Sequence, residues 1–253
     1  MISFDRHKNF LALDFDGVVA DSIAECLVVG RNAFVRYSGS GRPVRSLAEF
    51  PPGQAAEARR LRDFIRSGED YVFIFLALSG DAEIRTQDGF DAFKASRSDL
   101  KEKFFRLFYE VRTQLSAGNP EAWAALNPLF PGMKDYLASY APKDRLFIVT
   151  TKKTGFVQRI LDYNRIAFDP GNLFHADEEH PKRTILETLA KARDADPSCF
   201  FLIDDQVDTL LRARPAGVRC LLADWGYNNP AQKAHAREAE IPVITLADFL
   251  RRF

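Results

Sequence analysis

The chain has 253 residues, 46% of them hydrophobic and 28% charged, with 35 Lys and Arg against 35 Asp and Glu. That is enough chain to bury a large core, in one domain or two unequal ones, and the even charge balance excludes the strongly basic face expected of a nucleic-acid binder. The longest apolar run, Tyr71 to Leu78, has eight residues, far short of the roughly 20 that span a bilayer. The N-terminal MISFDRHKNF carries no apolar signal-peptide core, and Cys26, Cys199 and Cys220 are scattered, odd in number and without metal spacing. The expectation is a soluble, cytoplasmic protein with reduced thiols, no membrane partner and no nucleic-acid partner; its oligomeric state is not legible.

In chain order, Phe10 to Leu13 reads as a short buried strand that ends in the acidic turn DFDGVVADS, Asp14 to Ser22. Side chains alternate along a strand, so Asp14 and Asp16 start out on the same side, and Gly17 lets the chain turn tightly. Ser22 with Glu25 three residues on has the spacing of a capping box, and the helix it opens ends near Ser38 to Gly41. From Arg42 to about Asn127 the composition turns helical and β-branched alternation almost disappears. Ala55, Ala58, Leu61, Phe64 and Ile65 share one helical face, with Arg59 to Arg66 expected as a solvated face. Tyr71 to Leu78 is expected to be the most buried helix, and Leu100 to Leu115 a longer one that stops near Gly118 and Pro120.

Strands then alternate with helices. Leu146 to Val149, Phe174 and His175, Phe200 to Ile203, Val218 to Leu222, and Val243 and Ile244 read as strands. Gly155 to Tyr163, Lys182 to Arg193, Val207 to Arg214 and Ala247 to Phe253 read as helices. This order predicts an α/β fold: a Rossmann-like parallel sheet core with helices on both faces plus an α-helical cap domain. The predicted division is a core of 1–21 and 128–253 with a helical insert of 22–127.

Three apolar strands end in polar residues: Leu13 runs into Asp14, Val149 into Thr150 and Ile203 into Asp204. In a parallel sheet all carboxyl ends share one edge, so these groups can converge from distant parts of the chain. Lys182, at a helix start, can join them. A lysine there opposes the helix dipole and so calls for another reason to be present. Two nearby carboxylates repel unless a cation or a shared proton sits between them. Lys152 and Lys153 are expected to be solvated, with a substrate anion at the interface with the helical insert as the alternative partner for either.

These motifs resemble the haloacid dehalogenase (HAD) superfamily. DFDGVVADS is similar to its first motif, the apolar strand and threonine of LFIVTTKK to its second, Lys182 to its third, and IDDQVD, Ile203 to Asp208, to its fourth. RARPAGVR and WGYN resemble the tail of the phosphoglycolate-phosphatase-like branch, and the insert lies where many of these enzymes carry a helical cap. The chain departs from the pattern at Ile203, where glycine is usual, at Asp205, an additional acid, and at Pro181-Lys182, where relatives often have lysine before proline. Asp205 is therefore an alternative to Asp204, and Arg183 a minor competitor of Lys182.

The resemblance implies a phosphatase that hydrolyses a small phosphorylated metabolite through an aspartyl-phosphate. Asp14 is then the nucleophile, Asp16 the proton donor and acceptor, Thr150 a hydrogen-bond donor to the phosphoryl group and Lys182 its positive charge, with Thr151 a further substrate-binding residue. Mg²⁺ is the implied cofactor, held by Asp14, the main-chain carbonyl of Asp16 and Asp204, with Asp208 orienting its water shell. Asp16 argues against a dehalogenase or a phosphonate-cleaving enzyme, which lack that second acid. A phosphomutase keeps all four motifs and is the enzymatic alternative; a phospho-receiver domain or a non-catalytic phosphate-binding protein is the alternative from another class.

Overall fold

The computed structural model describes residues 3–80 and 82–253. In chain order the elements are β1 (Phe10–Leu13), α1 (Ile23–Ser38), α2 (Gln54–Arg60), α3 (Asp70–Ser79), α4 (Gln87–Ala95), α5 (Lys101–Gly118) and α6 (Pro120–Ala125). There follow α7 (Met133–Ser139), β2 (Leu146–Thr150), α8 (Thr154–Tyr163), β3 (Leu173–His175), α9 (Lys182–Ala192) and β4 (Phe200–Asp204). The chain closes with α10 (Val207–Ala213), β5 (Arg219–Ala223), α11 (Pro230–Glu238), β6 (Val243–Ile244) and α12 (Leu246–Arg252). It divides into two compact units, one reaching to Asp21 and resuming at Pro128–Phe253, the other Ser22–Asn127.

The first unit is a six-stranded sheet of order β3-β2-β1-β4-β5-β6 in which every pairing is parallel. Every residue of β1, β2 and β4 is buried. That is why these strands read as continuous apolar runs: a central parallel strand is covered on both faces. On one face Ile185, Leu186 and Leu189 of α9 and Leu210 of α10 cluster with Ala12, Phe147 and Leu202. The alternate residues look the other way, where the Phe201 ring meets Phe253 at 5.7 Å and the Tyr136 ring of α7 meets Phe249 of α12 at 4.8 Å. Successive strands run from β1 outward to β3, and the chain then returns to place β4 on the other side of β1. The order reverses at that point, so the carboxyl ends of β1 and β4 flank the crevice in which open α/β sheets bind ligands.

The second unit is helical. Its α1 packs on α3 and α5, and α3 is buried along almost its whole length, as its uninterrupted apolar run predicts. Aromatic pairs tie α3 to α5: Tyr71 stacks on Phe108 at 5.8 Å, and Phe73 meets Phe104 edge-on at 4.8 Å.

Two local readings are corrected in this unit. Ser22 makes no side-chain cap, so the expected capping box is not completed. Instead the Glu25 carboxylate is fully buried and accepts from Arg112 through Nε at 2.9 Å and Nη2 at 2.8 Å, and from Trp123 Nε1 at 2.9 Å. Nor is Arg59 to Arg66 one solvated helix face. The helix ends at Arg60, a 3-10 turn follows, and Arg62 is buried with its guanidinium over the Tyr71 ring at 5.6 Å.

No helix among the described residues is long and apolar enough to cross a membrane.

Candidate active site

Three strands of the sheet, β1, β2 and β4, each deliver a polar residue to the same edge. The Asp14 backbone N–H continues the sheet by donating to the Ile203 carbonyl at 2.9 Å. This places its side chain beside that of Asp204, the last residue of β4. The chain then folds sharply, with the Phe15 carbonyl accepting from both Val19 and Ala20 N–H at 2.9 Å. Thr150 ends β2 and is buried; its hydroxyl oxygen accepts from the Lys152 N–H at 3.2 Å, which leaves the hydroxyl proton available to a ligand.

Lys182 is the first residue of α9 and is buried. Its Nζ lies 2.8 Å from Asp14 Oδ1 and 2.7 Å from Asp204 Oδ2. These two carboxylates supply the reason for a lysine at a helix N-terminus. Burial works against the ammonium charge, but Asp14 and Asp204 outweigh it and the Lys182 pKa is raised. Arg183 points elsewhere, pairing with Glu187 at 2.8 Å in an exposed i, i+4 contact. At Asp14 burial is the largest influence and pushes the carboxyl up to about 6; Lys182 pulls it down, while Asp204 and Asp16 add to the rise.

The carboxylate oxygens of Asp14, Asp204 and Asp205 all lie within 4.8 Å of one another, and all three residues are buried. The trio includes Asp205, read from the sequence only as an alternative to Asp204, and leaves out Asp208, which sits half-buried in the first turn of α10. Both members of the Asp204-Asp205 pair reach the cluster because the chain kinks where β4 ends: Asp204 Oδ1 caps the turn by accepting from Gln206 N–H at 2.8 Å. The cluster fits a hard divalent cation. Its donors are carboxylate oxygens, and the trio with Lys182 carries a net charge of −2 when all four groups are ionised. Mg²⁺ takes such oxygen ligands and leaves the rest of its octahedron to water.

Lys152 corrects the expectation that it is solvated. Its side chain is fully buried and its Nζ bridges both oxygens of Asp16, at 2.9 Å to Oδ1 and 3.2 Å to Oδ2. The partner lies 136 residues away in sequence, so no local pattern marks this lysine. The only available signal was its place two residues beyond a strand that ends at the site. Thr151, by contrast, is exposed.

No family model matches the chain. Two phosphoglycolate phosphatases of Vibrio are similar to it along most of their length. One, from V. vulnificus strain YJ016, is 24% identical over 246 residues, covering 96% of this chain and 94% of its own. The other, from V. parahaemolyticus, is 26% identical over 225 residues, covering 87% and 86%. Among solved structures, a haloacid dehalogenase-like family hydrolase from Streptococcus pneumoniae superposes with a TM-score of 0.56 at 20% identity, covering 94% of this chain and 93% of its own. The chain is thus similar in sequence to phosphoglycolate phosphatases and shares its fold with a haloacid dehalogenase-like hydrolase. The four stretches that resemble haloacid dehalogenase motifs each bring a residue to the carboxyl edge of one parallel sheet.

Proposed function

We propose that this chain is a HAD-superfamily hydrolase, a Mg²⁺-dependent phosphatase that acts on a small phosphorylated metabolite through an aspartyl-phosphate at Asp14. The observation that carries the reading is the buried Asp14, Asp204 and Asp205 trio with Lys182 between two of its members. Mg²⁺, held by Asp14, the Asp16 carbonyl and Asp204 or Asp205, would supply the charge that lets a carboxylate approach a phosphate dianion. Asp208 would orient the water around it.

The chain's own residues divide the remaining work. An Asp14 oxygen attacks phosphorus and the ester P–O bond breaks; the carboxyl group of Asp16 gives its proton to the departing oxygen. Asp16, now a carboxylate, takes a proton from the water that attacks the aspartyl-phosphate, and inorganic phosphate leaves with Asp14 regenerated. Thr150 donates its free hydroxyl proton to a phosphoryl oxygen, and Thr151 lies next to it for a second contact. Lys182 offers the same group a positive charge in a buried setting, where such charge is most effective. Residues 22–127 take the part of the helical cap that sets specificity.

The relatives bear the name phosphoglycolate phosphatase, so 2-phosphoglycolate is the first metabolite to assay in a panel of phosphorylated small molecules. Free phosphate from the panel, dependent on Mg²⁺ and absent in Asp14→Asn, supports the reading. Isomer formation from a β-hexose 1-phosphate without phosphate release would favour the phosphomutase. A cytosolic setting suits the three free thiols.

A further inference from the structure

The segment Trp225–Asn228, just beyond β5, is bonded to both acidic turns. On the side of the first turn, Trp225 Nε1 donates to the Val18 carbonyl at 3.0 Å and the Tyr227 hydroxyl donates to Asp21 Oδ1 at 2.7 Å. On the other side, the Tyr227 N–H donates to Asp205 Oδ2 at 2.7 Å, and the Tyr227 carbonyl accepts from Gln206 Nε2 at 3.0 Å. Asn228 Nδ2 donates to the Asp205 carbonyl at 3.0 Å and to the Ala223 carbonyl at 2.8 Å. The three segments are packed to the limit that glycine allows. A Cβ on Gly226 would fall 2.2 Å from Asp205 Cβ and 2.5 Å from the Gly17 carbonyl oxygen. On Gly17, whose φ is +87°, it would fall 2.3 Å from Asp205 Oδ2 and 2.8 Å from the Tyr227 ring.

We propose that Trp225–Asn228 is a brace that fixes the distance between the Asp14–Asp21 turn and the Asp204–Gln206 turn, with Tyr227 as the positioning residue for the cation-binding carboxylates. The inference rests on the cation site proposed above and adds a residue to its control. Asp14 and Asp205 belong to different turns, and the gap between their oxygens decides whether one ion can bind both. Tyr227 grips both turns at once, by its backbone at Asp205 and by its hydroxyl at Asp21. Partners that hold metal ligands in place typically change metal affinity about 10- to 100-fold when removed. Asp21, which carries no step of the chemistry, thereby has a function: it is the anchor for the brace on the first turn.

The test is calorimetric titration of the full-length, metal-free protein with Mn²⁺, repeated for Tyr227→Phe, Asp21→Ala, the double variant and Asp21→Asn. Tyr227→Phe keeps the ring and the backbone N–H and loses only the hydroxyl. It should weaken Mn²⁺ binding about tenfold with an unchanged circular dichroism spectrum. Asp21→Ala should do the same, the double variant should add little to either, and Asp21→Asn, which still accepts from the hydroxyl, should bind within about twofold of the wild type. Unchanged affinity in Tyr227→Phe, or purely additive losses in the double variant, would overturn the brace while leaving the cation site standing. A wild type that binds no Mn²⁺ would overturn the cation site and the brace together.

Discussion

The two units each bury an ionic cluster, and the clusters are built to opposite designs. In the helical unit Glu25 meets Arg112 in a two-bond fork, Trp123 fills a further acceptor position, and the charges cancel. Burial alone would lower the Arg112 pKa, but Glu25 reverses that and raises it, so the pair stays ionised. In the sheet unit three buried carboxylates crowd around one lysine and Asp14 is driven up to about 6. A cluster that satisfies itself is suited to holding helices in register. One left two charges from neutrality stores its unfavourable electrostatics until a ligand arrives, which is how binding sites differ from structural ion pairs.

Substitutions separate the two designs by their readouts. The largest effect is expected at Asp14→Asn: phosphate release from a generic aryl phosphate should fall on the order of 10⁴-fold or more, with circular dichroism unchanged. In the helical unit the readout is stability. Arg112→Met strands a buried carboxylate and should cost about 3–5 kcal/mol in denaturant unfolding, and adding Glu25→Gln should recover part of it. Retained stability in Arg112→Met would make the two clusters alike. Lys152→Met releases the carboxylate of Asp16 from its fixed orientation, and kcat should fall about 10²-fold with little change in melting temperature.

The smallest effect is a pH dependence confined to the sheet unit. The Asp14 carboxyl has an ordinary value of 3.8 and is raised to about 6 in the metal-free fold. Its contribution therefore favours the folded state fully below pH 3.8 and is lost as the pH rises through 6. A bound divalent cation reverses that penalty by favouring the ionised form. The rise in melting temperature produced by millimolar Mg²⁺ should be large at pH 7.5 and shrink as the pH falls through about 6. A pH-independent rise would separate Asp14 from the cation.

The sheet was legible because its central strands are buried on both faces, so Phe10–Leu13, Leu146–Thr150 and Phe200–Asp204 announce themselves as apolar runs that stop at a polar residue. The outer strands were legible less evenly: β3 was read one residue short and β5 shifted by one, while the edge strand β6 was read with its observed bounds. Short helices were harder. The long helix was read to stop near Gly118 and Pro120, and α5 does end at Gly118, but Pro120 also opens the unread α6, where the Asn119 side chain accepts from Ala122 N–H. Asn229-Pro230 repeats the device at α11, completed by a capping box with Gln232. Both carried a readable Asn-Pro signal.

At the site, residues fixed by strand ends were readable and residues fixed by distant partners were not. Asp14, Thr150, Lys182 and Asp204 stand where strand and helix termini put them. Lys152, paired across 136 residues, and Glu25, drawn to an arginine 87 residues away, take their environments from tertiary contacts that no local spacing encodes. Asp205 lies between these cases: it was visible as an extra acid, but its place in the trio depends on the kink after Asp204 and on Tyr227.

The central claim is that Asp14 becomes phosphorylated, and chemical trapping tests it most directly. Acid quenching during turnover, borohydride reduction of the acyl phosphate and peptide mass spectrometry should reveal homoserine in place of aspartate at position 14. Turnover with an unmodified Asp14, or with the label at Asp16, would contradict the account.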